Sequence, residues 1–195
     1  RDTTSGELTF VQHFGKNEIG GTDRFHSSIS TEVSADGRYV YVAGRRDDAG
    51  ITTFKRDYNG TLSLKTFDAL KDVDAMIMSP DGENLYVTSR GNNTIENIAI
   101  NRQNGDLKLV EILTDQNIFN GLMSFSPNSK SLYVISGGDI LIYNRNTDSG
   151  LLTFTKKLPV GQFGLSTIFT GAVSPDGRHF YSYGQNAKRF NLAIG

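Results

Sequence analysis

The 195-residue chain has no cysteine, which removes a disulfide framework, a zinc knuckle and a thiol nucleophile together. It has no excess of either charge: Lys and Arg total 20 against 21 Asp and Glu, and no long block of one sign stands out. That balance argues against nucleic acid or an anionic membrane surface as the partner. No apolar run approaches the roughly 18 residues needed to span a bilayer, and the N-terminus lacks a charged-then-apolar targeting pattern. There is no Gly-x-Ser-x-Gly elbow and no His-Glu-x-x-His, so no nucleophile, base and oxyanion donor assemble by local spacing. No stretch holds a helical period for roughly ten residues. The chain opens at Arg1 rather than Met, as an excised piece or a processed form would.

What the chain does have is repetition. "SADGRYVYVAGR" starts at Ser34, "SPDGENLYVTSR" at Ser79, "SPNSKSLYVISG" at Ser126 and "SPDGRHFYSYGQ" at Ser174, in steps of 45, 47 and 48 residues. A second phrase keeps the same period: "RDTTSGELTF", "RDYNGTLSL", "NRQNGDLKL" and "NRNTDSGLLTF", with glycines at 6, 60, 105 and 150. The long first step is taken up by extra residues in "GKNEIGGTDRFH", read as a loop insertion. Ser-Pro-Asp-Gly suits a tight turn, because proline presets φ, aspartate bonds nearby amides and glycine accepts φ > 0. The residues after it, Tyr39–Val42, Leu85–Val87 and Leu132–Ile135, are β-branched, aromatic or aliphatic strand formers.

Each unit divides into four short strands, as in "GLMSFS", "SLYVIS", "ILIYNR" and "LLTFTKKL" of the third. Four-stranded units at this period predict an all-β fold, a β-propeller of four four-stranded blades around a central channel. The expected units are residues 28–67, 73–112, 120–158 and 168–194, the last completed by a strand at 7–14. Three arrangements fit the count: a closed four-bladed ring, half of a larger ring made by a homodimer, or an arc of a longer propeller.

"SPDGENLYVTSRGNNTIENIAINRQNGDLKLVE", Ser79–Glu111, resembles the lactonase-like propeller repeats, also called Tyr-Val-Thr-Asn repeats. "RDTTSGELTFVQ" and "SADGRYVYVAG" resemble the version found in tandem in large bacterial secreted and surface proteins. The resemblance covers essentially the whole chain and implies a secreted, periplasmic or cell-surface location. Enzymes of the family are similar to 6-phosphogluconolactonases, in which a His-Ser pair and an Arg-His pair before inner strands help line the active face. Here "FHSS", Phe25–Ser28, matches the first pair, although His26 stands farther from Ser34 than in that pattern. No Arg-His precedes "MIMSPDG", "MSFSPNS" or "GAVSPDG".

Ligand sites on propellers gather on the face that carries the loops from outermost to next innermost strand and the turns from second to third strand. That face is expected to hold His13, Asp23, Arg24, His26, Asp74 and the turn arginines Arg45, Arg46 and Arg90. His26 could serve as a base near neutral pH, and the arginines could clamp a carboxylate or phosphate. Glu32 stands where the other units place Ile77, Ser124 and Ala172, so it either faces the channel or pairs with an arginine. No metal or cofactor is expected. The reading is a non-catalytic module binding a protein or carbohydrate on its loop face. The alternative is a lactone hydrolase using His26, Arg45, Arg46 and Arg90 on a substrate such as 6-phosphogluconolactone.

Overall fold

The computed structural model describes residues 1–14, 28–45, 50–70, 73–89, 91–114, 118, 121–163, 167–185 and 190–193. They form four antiparallel sheets, each a simple meander. The first holds β1 (Ser28–Val33), β2 (Tyr39–Gly44), β3 (Gly50–Arg56) and β4 (Leu62–Ala69). The second holds β5 (Val73–Met78), β6 (Asn84–Ser89), β7 (Thr94–Ile100) and β8 (Leu107–Leu113). The third holds β9 (Leu122–Phe125), β10 (Ser131–Ser136), β11 (Asp139–Arg145) and β12 (Leu152–Pro159), followed by a 3-10 turn at Val160–Phe163. The fourth holds three strands, β13 (Thr167–Val173), β14 (His179–Gln185) and β15 (Phe190–Ala193). No helix among the described residues is long and apolar enough to cross a membrane.

Both repeated phrases are turns whose polar side chains are consumed locally. In the first sheet, Ser34 Oγ donates to Asp36 and accepts from the Tyr39 amide, while Asp36 also accepts from the Arg38 amide. Ser79 with Asp81, Ser126 with Asn128 and Ser174 with Asp176 repeat the pattern. In the second phrase, Asp2, Asp57 and Asn146 each accept two backbone amides through one side-chain oxygen. Such side chains close the turn in place of backbone pairing, which is why the phrases recur where strands reverse.

Successive sheets pack face to face. Tyr41, Leu85, Val87 and Ile98 fill the space between the first and second. Tyr86, Ile95, Leu132 and Tyr143 fill the next, and Tyr133, Ile135, Ile142 and Phe180 the last. Each fully buried side chain of this size contributes about 2 kcal/mol relative to exposure. The sheets are also latched by hydrogen bonds. Tyr41 donates to the Gly105 carbonyl at 3.4 Å and Tyr86 to that of Gly150 at 2.5 Å. A Cβ at Gly105 would fall 2.4 Å from the Tyr39 ring, and one at Gly150 would fall 2.4 Å from Asn84. Only glycine permits so close an approach at these positive φ values of +74° and +75°.

The innermost strands line up side by side, β1 on β5, β5 on β9 and β9 on β13. The 7–14 segment, expected to be the outermost strand of the fourth sheet, forms no strand. Its Gln12 side chain instead bonds both the amide and the carbonyl of Leu62, at 2.9 and 3.2 Å, beside the first sheet.

Candidate functional site

Three of the four innermost strands carry the same irregularity. Their pairing with the second strand slips between Ser28 and Ser30, between Val73 and Ala75, and between Ile168 and Thr170. Each slip is a bulge that places one extra residue, Ile29, Asp74 or Phe169, out of register. A bulge re-aims the side chain it carries. Asp74 and Phe169 are thereby brought to the wall of one central cleft of about 380 Å³, with Arg45, Leu122, Gly137, Thr167 and Ile168. That volume lies at the small end of the range for ligand pockets. The starts of β5, β9 and β13 thus meet the second-to-third-strand turns at Arg45 and Gly137 on one face.

Among the described residues, the charged part of the cleft is the Arg45–Asp74 ion pair, with Thr167 as a further polar lining residue. Arg45 Nη2 lies 2.6 Å from Asp74 Oδ1, the carboxylate side chain 3% exposed and the guanidinium side chain 40% exposed. The carboxylate fixes the head group, and Arg45 Nε is left buried without a hydrogen-bond partner. Since the pair cancels its own charge, it offers donors and acceptors together, a match for hydroxyl and carbonyl oxygens more than for a dianion. Phe169, also in the cleft wall, is 49% exposed and its ring centroid lies 6.2 Å from that of Tyr183. Leu122 and Ile168 complete an apolar floor.

The other expected site residues divide. His13 is exposed in the N-terminal segment, with its ring 6.5 Å from Phe10. Glu32 lies on the β1–β5 contact, where it accepts a hydrogen bond from the Met78 amide. Burial raises its pKa, and the amide offsets part of the rise. Beside it Ser30 donates to the Met76 carbonyl at 2.7 Å, so these two side chains fasten one inner strand to the next. Asp23, Arg24, His26, Arg46 and Arg90 lie outside the described residues. Phe169 was missed from sequence. Its signal was the position five residues before each repeat serine, which holds Ile29, Asp74, Gly121 and Phe169.

A smaller cavity of about 240 Å³ lies between the first and second sheets, lined by Asp68, Leu70, Ile98, Leu107 and Leu109. Burial raises the Asp68 pKa there, with Asp106 adding to the rise and Lys65 opposing it.

Comparison with known proteins follows the same lines. A family model described as "Lactonase, 7-bladed beta-propeller" matches residues 65–166, more than half of the chain. No curated protein sequence matches. Among solved structures, a candidate 6-phosphogluconolactonase of Bacteroides uniformis superposes with a TM-score of 0.70 at 19% identity, covering 82% of this chain and 48% of that one. A Lactobacillus plantarum protein gives 0.71 at 14% identity, over 89% of this chain and 55% of that one. The periplasmic gluconolactonase of Pseudomonas aeruginosa gives 0.59 at 22%, over 67% and 39%. The chain therefore spans about half the length of the structures it resembles, 48% for the Bacteroides uniformis protein.

Proposed function

The chain belongs to the seven-bladed lactonase propeller family, and from that premise we propose that its central cleft binds a neutral sugar-like ring, with sugar lactones as the ligand class. The observation that carries this reading is that Phe169 and the Arg45–Asp74 pair line one cleft of about 380 Å³. An exposed aromatic ring offers its face to the C–H side of a sugar ring. A charge-cancelled guanidinium–carboxylate pair offers donors and acceptors to its hydroxyl edge. On this reading the chain acts as a binding module, with Arg45, Asp74 and Phe169 as the residues that hold the ring.

Hydrolysis of the bound lactone is the second reading, and family membership favours it. Two solved neighbours are named as a gluconolactonase and a candidate 6-phosphogluconolactonase. A phosphorylated substrate would need a cation beyond Arg45, for which Arg46 and Arg90 are the sequence's choices. One of those neighbours is named as periplasmic, and export of this chain is the corresponding proposal.

Calorimetric titration with gluconolactam, a lactone analogue stable to hydrolysis, tests binding, and Phe169→Ala should weaken it about tenfold or more. Acid release from glucono-1,5-lactone above the uncatalysed rate, abolished by His26→Ala, would replace the binding module by the hydrolase.

A further inference from the structure

The repeat itself singles out Asp68. The second residue of β3, β7 and β11 is a buried isoleucine, Ile51, Ile95 or Ile140. Its partner on the fourth strand is Leu113 in the second sheet and Leu158 in the third, each packed on the apolar cluster that joins its sheet to the next. In the first sheet that partner is Asp68. A carboxylate thus stands where the other two sheets bring a leucine to the junction.

A second pair of positions departs in the same junction. Asn97 and Glu111 face each other across β7 and β8, and both reach the third sheet. Asn97 donates to the Gly150 carbonyl at 2.9 Å, and Glu111 accepts from the Leu152 amide at 3.1 Å. The matching pair in the first sheet is Thr53 and Thr66. These side chains are shorter, and both hydroxyl oxygens are buried without a hydrogen-bond partner among the described residues.

Between the first and second sheets, both complete with four strands, lies the cavity of about 240 Å³. Leu70, Ile98, Leu107 and Leu109 form its apolar wall, and Asp68 is its charged group among the described residues. Asp68 Oδ2 is buried with no hydrogen-bond partner among those residues. Lys65 gives its ammonium to Asp106. Leu109 is 49% exposed, so the cavity reaches solvent along that wall.

This lining selects its occupant by chemistry. A buried carboxylate oxygen without a donor is unfavourable, and a donor that carries positive charge relieves it most. A metal ion needs several oxygens around it, which four hydrocarbon side chains do not supply. An anion would meet the negative charge of Asp68. A wholly apolar molecule would cover the leucines and leave Oδ2 unpaired.

The geometry points to this cavity as a second binding site, sharing no lining residue with the central cleft, for a small organic ammonium ion. Its N–H groups donate to Asp68 Oδ2, and its hydrocarbon body packs on Leu70, Ile98, Leu107 and Leu109.

Titration of cyclohexylammonium chloride at neutral pH into methyl-labelled chain, followed by NMR, tests the site. The Ile98, Leu107 and Leu109 methyl signals should shift saturably, with a dissociation constant of about 1 mM, the scale for a ligand of about seven non-hydrogen atoms. Cyclohexanol, similar in shape but uncharged, should bind about tenfold or more weakly. Asp68→Asn should weaken cyclohexylammonium binding by a similar factor, and Asp68→Leu, which installs the side chain of the other two sheets, should abolish it. Both variants are checked for an unchanged β-sheet circular dichroism spectrum. No saturable shift up to about 100 mM, equal binding by cyclohexanol, or undiminished binding by Asp68→Asn overturns the proposal. Tighter binding of acetylated Gly-Lys-Gly amide than of cyclohexylammonium overturns it too, and gives the cavity to a lysine of a protein partner.

Discussion

Tyr86 donates its hydroxyl hydrogen to the carbonyl of Gly150, 64 residues further along and one sheet over, at 2.5 Å. Arg145 Nε in turn donates to the same hydroxyl oxygen at 2.7 Å. Burial pushes the phenol up to about 12, Arg145 offsetting part of the rise, so the hydroxyl remains a donor across the physiological range. The repeated tyrosine is therefore a latch between neighbouring sheets.

Tyr86→Phe leaves the buried Arg145 Nε–H without its partner and the Gly150 carbonyl with the Asn97 amide as its remaining donor. The expected loss is about 1–2 kcal/mol in urea unfolding, with the m-value unchanged. An unaltered midpoint would remove the latch from the account.

Arg145 has a fully buried side chain, bonded to Asp81 at 2.5 Å and to Asn84 at 2.7 Å. Arg145→Ala leaves the part-exposed Asp81 carboxylate unpaired and removes the buried bonds to Asn84 and Tyr86, so it should cost about 2 kcal/mol. Arg102→Ala, which breaks the exposed 2.6 Å pair with Glu83, should cost under about 1 kcal/mol. Equal losses in thermal melts would contradict the difference in burial.

Ser129 sits at φ +60° where the other three turns have Gly37, Gly82 and Gly177. A left-handed conformation costs a side-chain-bearing residue roughly 1–2 kcal/mol, partly offset by glycine's greater freedom when unfolded. Ser129→Gly should therefore stabilise by roughly 0.5 kcal/mol. Chemical denaturation of the two proteins side by side decides the sign.

Two carboxylates should give opposite pH dependences. Burial raises Glu32 above 4.5 in the folded chain, so its contribution is most favourable below that value and is lost as pH rises through the folded pKa. Asp36 is held at about 2 by the Ser34 hydroxyl and the Arg38 amide, so its contribution is present above 3.8 and lost as pH falls toward 2. Glu32→Gln should gain stability relative to the parent as pH is raised from about 4 to 6, and Asp36→Asn should lose least in acid. Parallel stability profiles for parent and variants would refute both assignments.

The fold was legible because its determinants are local and repeated. Ser-x-Asp and Asx-Gly turns bond within five residues, and a tyrosine recurs behind each one. The site was legible only in part. Arg45 and Asp74 were named as loop-face residues, but their pairing depends on a bulge that changes register without changing composition. The same bulge brings Phe169 to the cleft, and alternation along β13 alone gives no reason to select it. Glu32 was expected either in the channel or beside an arginine. It accepts from a backbone amide of β5, a partner that side-chain pairing rules do not supply. Residues 7–14 alternate like a strand, yet they meet the first sheet through the Gln12 side chain on Leu62 and the Phe14 ring on Phe54, and form no strand.

The most direct test of the cleft is calorimetric titration of gluconolactam into the parent chain and into Arg45→Ala. Saturable one-to-one binding by the parent, weakened about tenfold or more in the variant, is the predicted result. Equal binding by both proteins, or none by the parent, would contradict the assignment of Arg45, Asp74 and Phe169 to a sugar-lactone site.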